Sequence, residues 1–129
     1  MVLVDTSIWV SHFRKGNIEL AYLLHDGEVA IHPFVVGELA CGNLKNRTLI
    51  LSLLKSLPMG VEAEHEEVLA FIEKNRLMGK GLGYVDAHLI TSAVLTGVSL
   101  WTLDKRLGQV ADLLHRSYKK TDNQVKGSI

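Results

Sequence analysis

The run Val2-Leu3-Val4, stopped at Asp5, constrains the fold of this chain more than any other stretch. Consecutive apolar residues without polar alternation suit a strand buried on both faces. Thr6 or Ser7 then offers a hydroxyl to cap a helix carrying Ile8, Trp9 and Val10. A parallel strand that ends in a carboxylate puts that acid at the carboxyl edge of the sheet, where open α/β sheets build their sites. The plainer reading of Asp5 is a helix cap, and this stretch alone allows both.

The pattern of strand followed by helix continues along the chain. Ile18, Leu20, Ala21, Leu23 and Leu24 form a helical stripe that ends near Asp26-Gly27, and Val29-Ala30-Ile31 reads as a second strand. His32-Pro33 opens a helix with Phe34, Val35, Val36, Glu38, Leu39 and Cys41, and Gly42-Asn43 stops it. A Leu-rich helix from about Lys45 to Ser56 follows, then a break at Leu57 to Gly60, with Val61 a candidate for a third strand. Glu64 to Met78 is amphipathic, Gly79, Gly81 and Gly83 form a flexible connector, and Tyr84 to Thr96 is helical. Val98 to Leu103 reads as a strand and Asp104 to His115 as the last helix. Strands alternating with helices imply right-handed βαβ units, hence an α/β fold with a central parallel sheet flanked by helices.

With 129 residues the chain is expected to form one domain, burying about two-thirds of its unfolded surface. The boundary is placed at residue 116, leaving 117–129 as a polar, unpatterned and loose tail. No apolar run nears the ~20 residues that span a bilayer, and no secretion signal opens the chain. Cys41 is the only cysteine, which excludes an internal disulfide and fits a reducing cytoplasm. Fourteen basic residues balance fourteen acidic ones, so net charge advertises no polyanion partner but permits a local basic rim.

Four carboxylates stand apart from the solvated acidic run at Glu62, Glu64, Glu66 and Glu67. Asp5 and Asp104 follow predicted strands, Glu38 lies between Val35 and Leu39 on its helix, and Asp86 opens a helix on the face of Ile90 and Ala93. Acids on apolar faces are costly unless compensated, and several brought to one sheet edge raise each other's pKa. A divalent cation removes that cost. All-oxygen ligands suit Mg²⁺ or Mn²⁺, whereas six scattered His and one Cys give no zinc spacing.

The stretches Val4-Asp5-Thr6-Ser7, Val36-Gly37-Glu38-Leu39, Tyr84-Val85-Asp86-Ala87 and Leu100-Trp101-Thr102-Leu103-Asp104 together resemble PIN-domain ribonucleases. More closely they are similar to the VapC toxins of bacterial and archaeal toxin–antitoxin pairs, in family order from Met1 to about Leu114. The resemblance implies a single PIN-like domain with Asp5, Glu38, Asp86 and Asp104 as its acidic metal centre and catalytic set. Thr6, Ser7 and Thr102 match the supporting hydroxyl positions. It also implies an RNA substrate, tRNA or rRNA, and a cognate antitoxin protein. One departure stands out: many relatives carry a further acid and then an aromatic residue where this chain has Arg106 and Leu107, and Asp112 is poorly spaced to replace that acid.

The expected reaction is metal-dependent hydrolysis of an RNA phosphodiester, with Asp5 and Asp86 as direct ligands and Glu38 and Asp104 as ligands or water-orienting groups. Arg14, Lys15, Arg76, Lys80, Lys105 and Arg106 are candidates to grip phosphates, each with solubility as its plainer role. His12, His32 and His88 are read as helix-surface or hydrogen-bonded residues, and Trp9 and Trp101 as core rather than base-stacking groups; Tyr84 is a candidate for stacking. The segment Leu49 to Leu54 carries more apolar surface than one helix face buries and points to a second copy, as in a homodimer, or to an antitoxin peptide, with burial in the chain's own core as the plainer reading. Two rival readings are an aspartyl phosphatase, which wants an acid where Ser7 stands, and a non-catalytic RNA- or protein-binding module on the same fold.

Overall fold

In the computed structural model, which describes residues 1–119, β1 (Val2–Val4) is the centre of a three-stranded, wholly parallel sheet. β2 (Val29–Ala30) pairs on one side through Val2↔Val29 and Leu3↔Ala30. β3 (Ser99–Trp101) pairs on the other through Val2↔Ser99, Leu3↔Leu100 and Val4↔Trp101. The central position explains the unbroken apolar run, for all three β1 side chains are buried.

Helices α1 (Thr6–Lys15) and α2 (Ile18–His25) connect β1 to β2. The crossover from β2 to β3 contains α3 (Pro33–Ala40), α4 (Arg47–Ser56), α5 (His65–Lys74) and α6 (Tyr84–Thr96), and α7 (Lys105–Leu113) follows β3. Leu3, Ile8, Leu20, Ile31, Leu89, Ile90, Leu100 and Leu107 fill the core between sheet and helices. Truncating any one of these to Ala costs about 2–5 kcal/mol. No helix among the described residues is long and apolar enough to cross a membrane.

Several boundaries differ from the sequence reading because tertiary partners capture backbone groups. No third strand forms at Val61, whose N–H donates to Thr96 Oγ1 at 2.9 Å; the backbone just after α4 makes only a single bridge, Met59 with Ile31. β3 ends at Trp101 because the next residues turn toward β1: Leu103 N–H donates to Ser7 Oγ at 3.0 Å. α5 ends at Lys74, ahead of Arg76 at φ 53°, and Leu77 N–H folds back to Ile72 O at 3.0 Å.

The first residues of the polar tail continue the sheet. Ser117 bridges Leu100, Tyr118 N–H donates to Leu100 O at 2.9 Å, and the Tyr118 hydroxyl donates to Glu19 Oε2. The outer edge of β3 thus gains a backbone partner. The rest of the tail, 120–129, lies outside the described residues.

On α4 only Leu54 is fully buried, while Leu49 and Leu53 are 59% and 54% exposed. The helix therefore presents a true apolar outer face.

Candidate active site

Asp5 stands where β1 meets α1, in the N-cap position, yet its side chain makes no cap bond. It accepts instead from Ser7 Oγ at 2.9 Å and from Thr102 Oγ1 at 2.7 Å, and is only 7% exposed. Ser7 and Thr102 each pass the network on. Ser7 Oγ accepts from Leu103 N–H, and Thr102 Oγ1 accepts from Asp104 N–H at 2.9 Å. Ser7, which the sequence offers as a cap for α1, and Thr102 therefore lock the carboxyl ends of β1 and β3 together. Thr6 does the same toward α3, donating to Glu38 Oε1 at 2.6 Å.

Each of the other acids is set by its own helix. α3 begins with Pro33 at its first turn and with His32 Nδ1 accepting from Phe34 N–H at 2.9 Å, which fixes the helix that presents Glu38. Asp86 lies in the first turn of α6 and reaches back to accept from Gly83 N–H at 3.3 Å, the return arm of a capping box. Asp104 caps α7 through Oδ1, which accepts from Leu107 N–H at 2.9 Å. Its Oδ2 has no protein donor among the described residues.

These four acids share one electrostatic field. Burial pushes the Asp86 carboxyl above the usual carboxylate range, the Gly83 N–H pulls it back, and the charges of Asp104, Asp5 and Glu38 raise it further. None of the four has an ion-pair partner among the described residues, where the ion pairs are Met1 with Glu28 and Lys119 with Asp112. Asp104, Asp5 and Glu38 act on Asp86 at Coulombic range, and no group of three or more His, Cys, Asp or Glu side chains placed to hold a metal ion exists among the described residues. A half-buried acid raised by three uncompensated neighbours, all with oxygen donors, fits a hard divalent cation of the Mg²⁺ or Mn²⁺ type.

The rim is less uniform than the centre. Arg14 lines a cleft that also includes Glu38, and Arg106 lies across Gly81, where a Cβ would stand 2.6 Å from its Cδ. Gly81 has φ +80°, a backbone conformation that favours glycine there, whereas the Arg106 side chain can shift away from a Cβ. Lys15, Arg76, Lys80 and Lys105 are exposed and form no ion pair among the described residues.

His12 Nδ1 accepts from Asn17 N–H and His32 Nδ1 from Phe34 N–H, whereas His88 is buried with its Nδ1 lacking a hydrogen-bond partner among the described residues. Trp9 is buried, Trp101 packs against Tyr118, and Tyr84 is exposed with its hydroxyl bonded to His65 Nδ1. The sequence reading missed Gly83 as a donor to Asp86, although glycine three residues before an acid at a helix start is the pattern that signals it. It also missed Arg47, whose guanidinium donates to Ala40 O and Gly42 O and so closes the end of α3.

A profile of the PIN domain matches residues 2–113. Ribonuclease VapC32 of Mycobacterium tuberculosis is 47% identical over 108 residues, which cover 83% of this chain and 87% of that protein. The same relation holds for VapC32 of two strains, CDC 1551 / Oshkosh and ATCC 25618 / H37Rv. Among solved structures, FitAcB from Neisseria gonorrhoeae superposes with a TM-score of 0.62 at 18% identity, over 87% of this chain and 94% of that one. FitAB bound to an IR36 DNA fragment gives 0.60 at 16% identity, over 87% and 91%. At such identities the structural likeness speaks for the fold alone. The profile match runs from β1 through α7 and so takes in the elements that carry Asp5, Glu38, Asp86 and Asp104: this chain belongs to the PIN-domain family, on its VapC branch.

Proposed function

We propose that this protein is a Mg²⁺- or Mn²⁺-dependent endoribonuclease, the toxin of a toxin–antitoxin pair, and that it hydrolyses phosphodiester bonds of tRNA or rRNA. The observation that carries this reading is the Asp86 carboxyl, raised by burial and by Asp104, Asp5 and Glu38 with no cation paired to any of them among the described residues. A protein that only binds RNA gains nothing from holding four acids against their mutual repulsion. The 47% identity to a ribonuclease of the VapC group supports the same reading.

Asp5 and Asp86 are the direct ligands in this scheme, with Glu38 and Asp104 completing the acidic set. A bound divalent cation supplies Lewis-acid polarisation of a phosphoryl oxygen and lowers the pKa of water. The chain's own residues do the positioning. Ser7 and Thr102 hold Asp5 Oδ2 in a fixed orientation, so that ligand loses little freedom when it binds. Thr6 steadies Glu38 Oε1, leaving Oε2 to orient the attacking water, and Asp104 offers Oδ2 while Oδ1 is anchored to Leu107. Arg14 and Arg106 lie on the rim to meet phosphates on either side of the cleaved bond.

A cognate antitoxin and a second copy of the chain are the proposed protein partners, with the exposed Leu49 and Leu53 of α4 as apolar surface for one of them. The proposed setting is the cytoplasm.

The test is cleavage of a total tRNA and rRNA pool by folded, antitoxin-free protein in Mg²⁺ or Mn²⁺. Discrete cuts that vanish with EDTA, and in both Asp5→Asn and Asp86→Asn, are the expected result. Absence of metal-dependent cuts overturns the reading.

A further inference from the structure

A cleft of about 280 Å³ opens beside Glu38, and the reaction outlined above uses only that acid and Arg14 from its walls. It lies between the second half of α1 and the loop after α3, and its walls include Phe13, Arg14, Leu39, Gly42 and Asn43. Its shape is set before any ligand arrives. Arg47 Nη1 donates to Gly42 O at 3.2 Å and Nη2 to Ala40 O at 2.5 Å, which pins the loop wall. Asn46, at φ 52°, then turns the chain into α4. On the opposite wall Phe13 stacks on Trp9, with ring centroids 5.8 Å apart and 29° between planes, while staying 38% exposed.

The chemistry of these walls is specific. Phe13 offers a flat aromatic surface, and bases stack on such faces regardless of sequence. Asn43 carries a donor and an acceptor side by side, the pairing that reads the Watson–Crick edge of a base. Arg14 is the one cation lining the cleft among the described residues and suits a phosphate. The volume lies near the ~300 Å³ lower end of small-ligand clefts, room for one nucleotide and not for a protein helix. The neighbouring groove around Trp9, Leu24, Ile50 and Leu53 has no lysine or arginine among the described residues, and its polar side chains are His12 and Ser56.

We propose that this cleft is a nucleobase subsite, holding one unpaired base of the RNA next to the phosphodiester that is cut. The base stacks on Phe13, Asn43 reads its edge, and Arg14 meets the adjoining phosphate. The inference rests on the ribonuclease reading and adds to it a selection rule: the substrate is chosen by a base that is free of pairing, as in a loop, because a paired base has its edge occupied. Glu38, shared by cleft and acidic centre, sets the register between the base that is read and the bond that is broken.

The test has a binding arm and a cleavage arm. In the binding arm the four ribonucleoside 5′-monophosphates are titrated into the folded Asp86→Asn variant and followed by NMR. One of the four should shift the Phe13 ring and the amides of Gly42, Asn43 and Leu44, with about tenfold tighter binding than the weakest of the others. Asn43→Ala should remove that difference. Phe13→Leu, which keeps an apolar contact with Trp9, should weaken all four alike. In the cleavage arm, Asn43→Ala should flatten the nucleotide preference at the mapped cut sites and raise KM more than it lowers kcat. Shifts that miss these residues, or that are equal for all four nucleotides, overturn the subsite. So does wild-type cleavage whose cut-site preference survives both Asn43→Ala and Phe13→Leu, and that result leaves the ribonuclease standing. Selective binding at the cleft by a protein that cuts no RNA keeps the subsite and overturns the reaction.

Discussion

Thr102 Oγ1 donates to Asp5 Oδ2 over 2.7 Å, joining two residues 97 positions apart in the chain. The same oxygen accepts from the Asp104 N–H, so one hydroxyl ties the acid after β1 to the acid after β3. Thr102→Val keeps the shape and removes both bonds. Unfolding in urea should show a loss of about 1–2 kcal/mol, and metal-dependent cleavage should fall about tenfold or more, as when a group supporting a metal ligand is lost. Thr102→Ser restores the hydroxyl and should recover most of both. Wild-type cleavage by the Val variant excludes a positioning role for this bond.

Asp86→Asn separates stability from chemistry. A carboxyl whose folded pKa lies above its unfolded value contributes stability at low pH and loses it as pH rises through the folded value, so ionised Asp86 destabilises the fold at neutral pH. Without divalent cation, the Asn variant should therefore melt at a higher temperature than wild type at pH 7. Adding Mn²⁺ to a hundredfold excess over Kd should raise the wild-type Tm on the order of 5–10 °C and leave the variant nearly unmoved. Equal shifts in both proteins place the ion elsewhere.

Sequence made some of this plain and hid the rest for definite reasons. β1 and Asp5 were legible because a short, fully apolar run followed by an acid has few other meanings in an α/β chain. α6 was read from Tyr84 to Thr96 because Gly83 and Gly97 bracket it, the second in the left-handed region that ends helices. The convergence of the acids could not come from spacing, since it depends on the pairing of Val4 with Trp101 and on bonds reaching from Thr6 to Glu38. Local rules assigned Thr6 and Ser7 to a helix cap because those rules do not see partners 32 or 96 residues away. Asn43 looked like punctuation after α3, and only the folded loop sets it in a cleft.

His32 makes stability depend on pH from below. Burial, and then the neighbouring His88, lower its pKa from 6.5 to about 4, while Nδ1 is held as the acceptor that caps α3. Its folded pKa lies below the unfolded value, so the stability it contributes is present above pH 6.5 and is lost as pH falls toward 4. The gap corresponds to about 3 kcal/mol across that window. His32→Asn keeps an acceptor for the Phe34 N–H and removes the titration. Urea midpoints measured from pH 7 to pH 4 should fall less steeply for the variant than for wild type. Parallel slopes assign the acid sensitivity to other groups.

Tyr118 shows where the folded unit ends. Its hydroxyl donates to Glu19 Oε2, and its own pKa is raised by burial first and by the bond and charge of Glu19 next. Glu19 sits in the first turn of α2 and is only 7% exposed, so the tyrosine gives a buried carboxylate its donor. Tyr118→Phe keeps the ring against Trp101 and leaves that carboxylate short of one hydrogen bond, a cost of about 1–3 kcal/mol. Glu19→Gln removes the charge and should make the Tyr118→Phe change milder, so the double variant should be more stable than the two single losses predict. A chain ending at residue 116 gives up the Tyr118 side chain and also the donor to Leu100 O, leaving the outer edge of β3 open. Its urea midpoint should therefore lie below that of Tyr118→Phe. A shortened chain as stable as the full one excludes Ser117 and Tyr118 from the folded unit, whereas a lower midpoint makes them part of it.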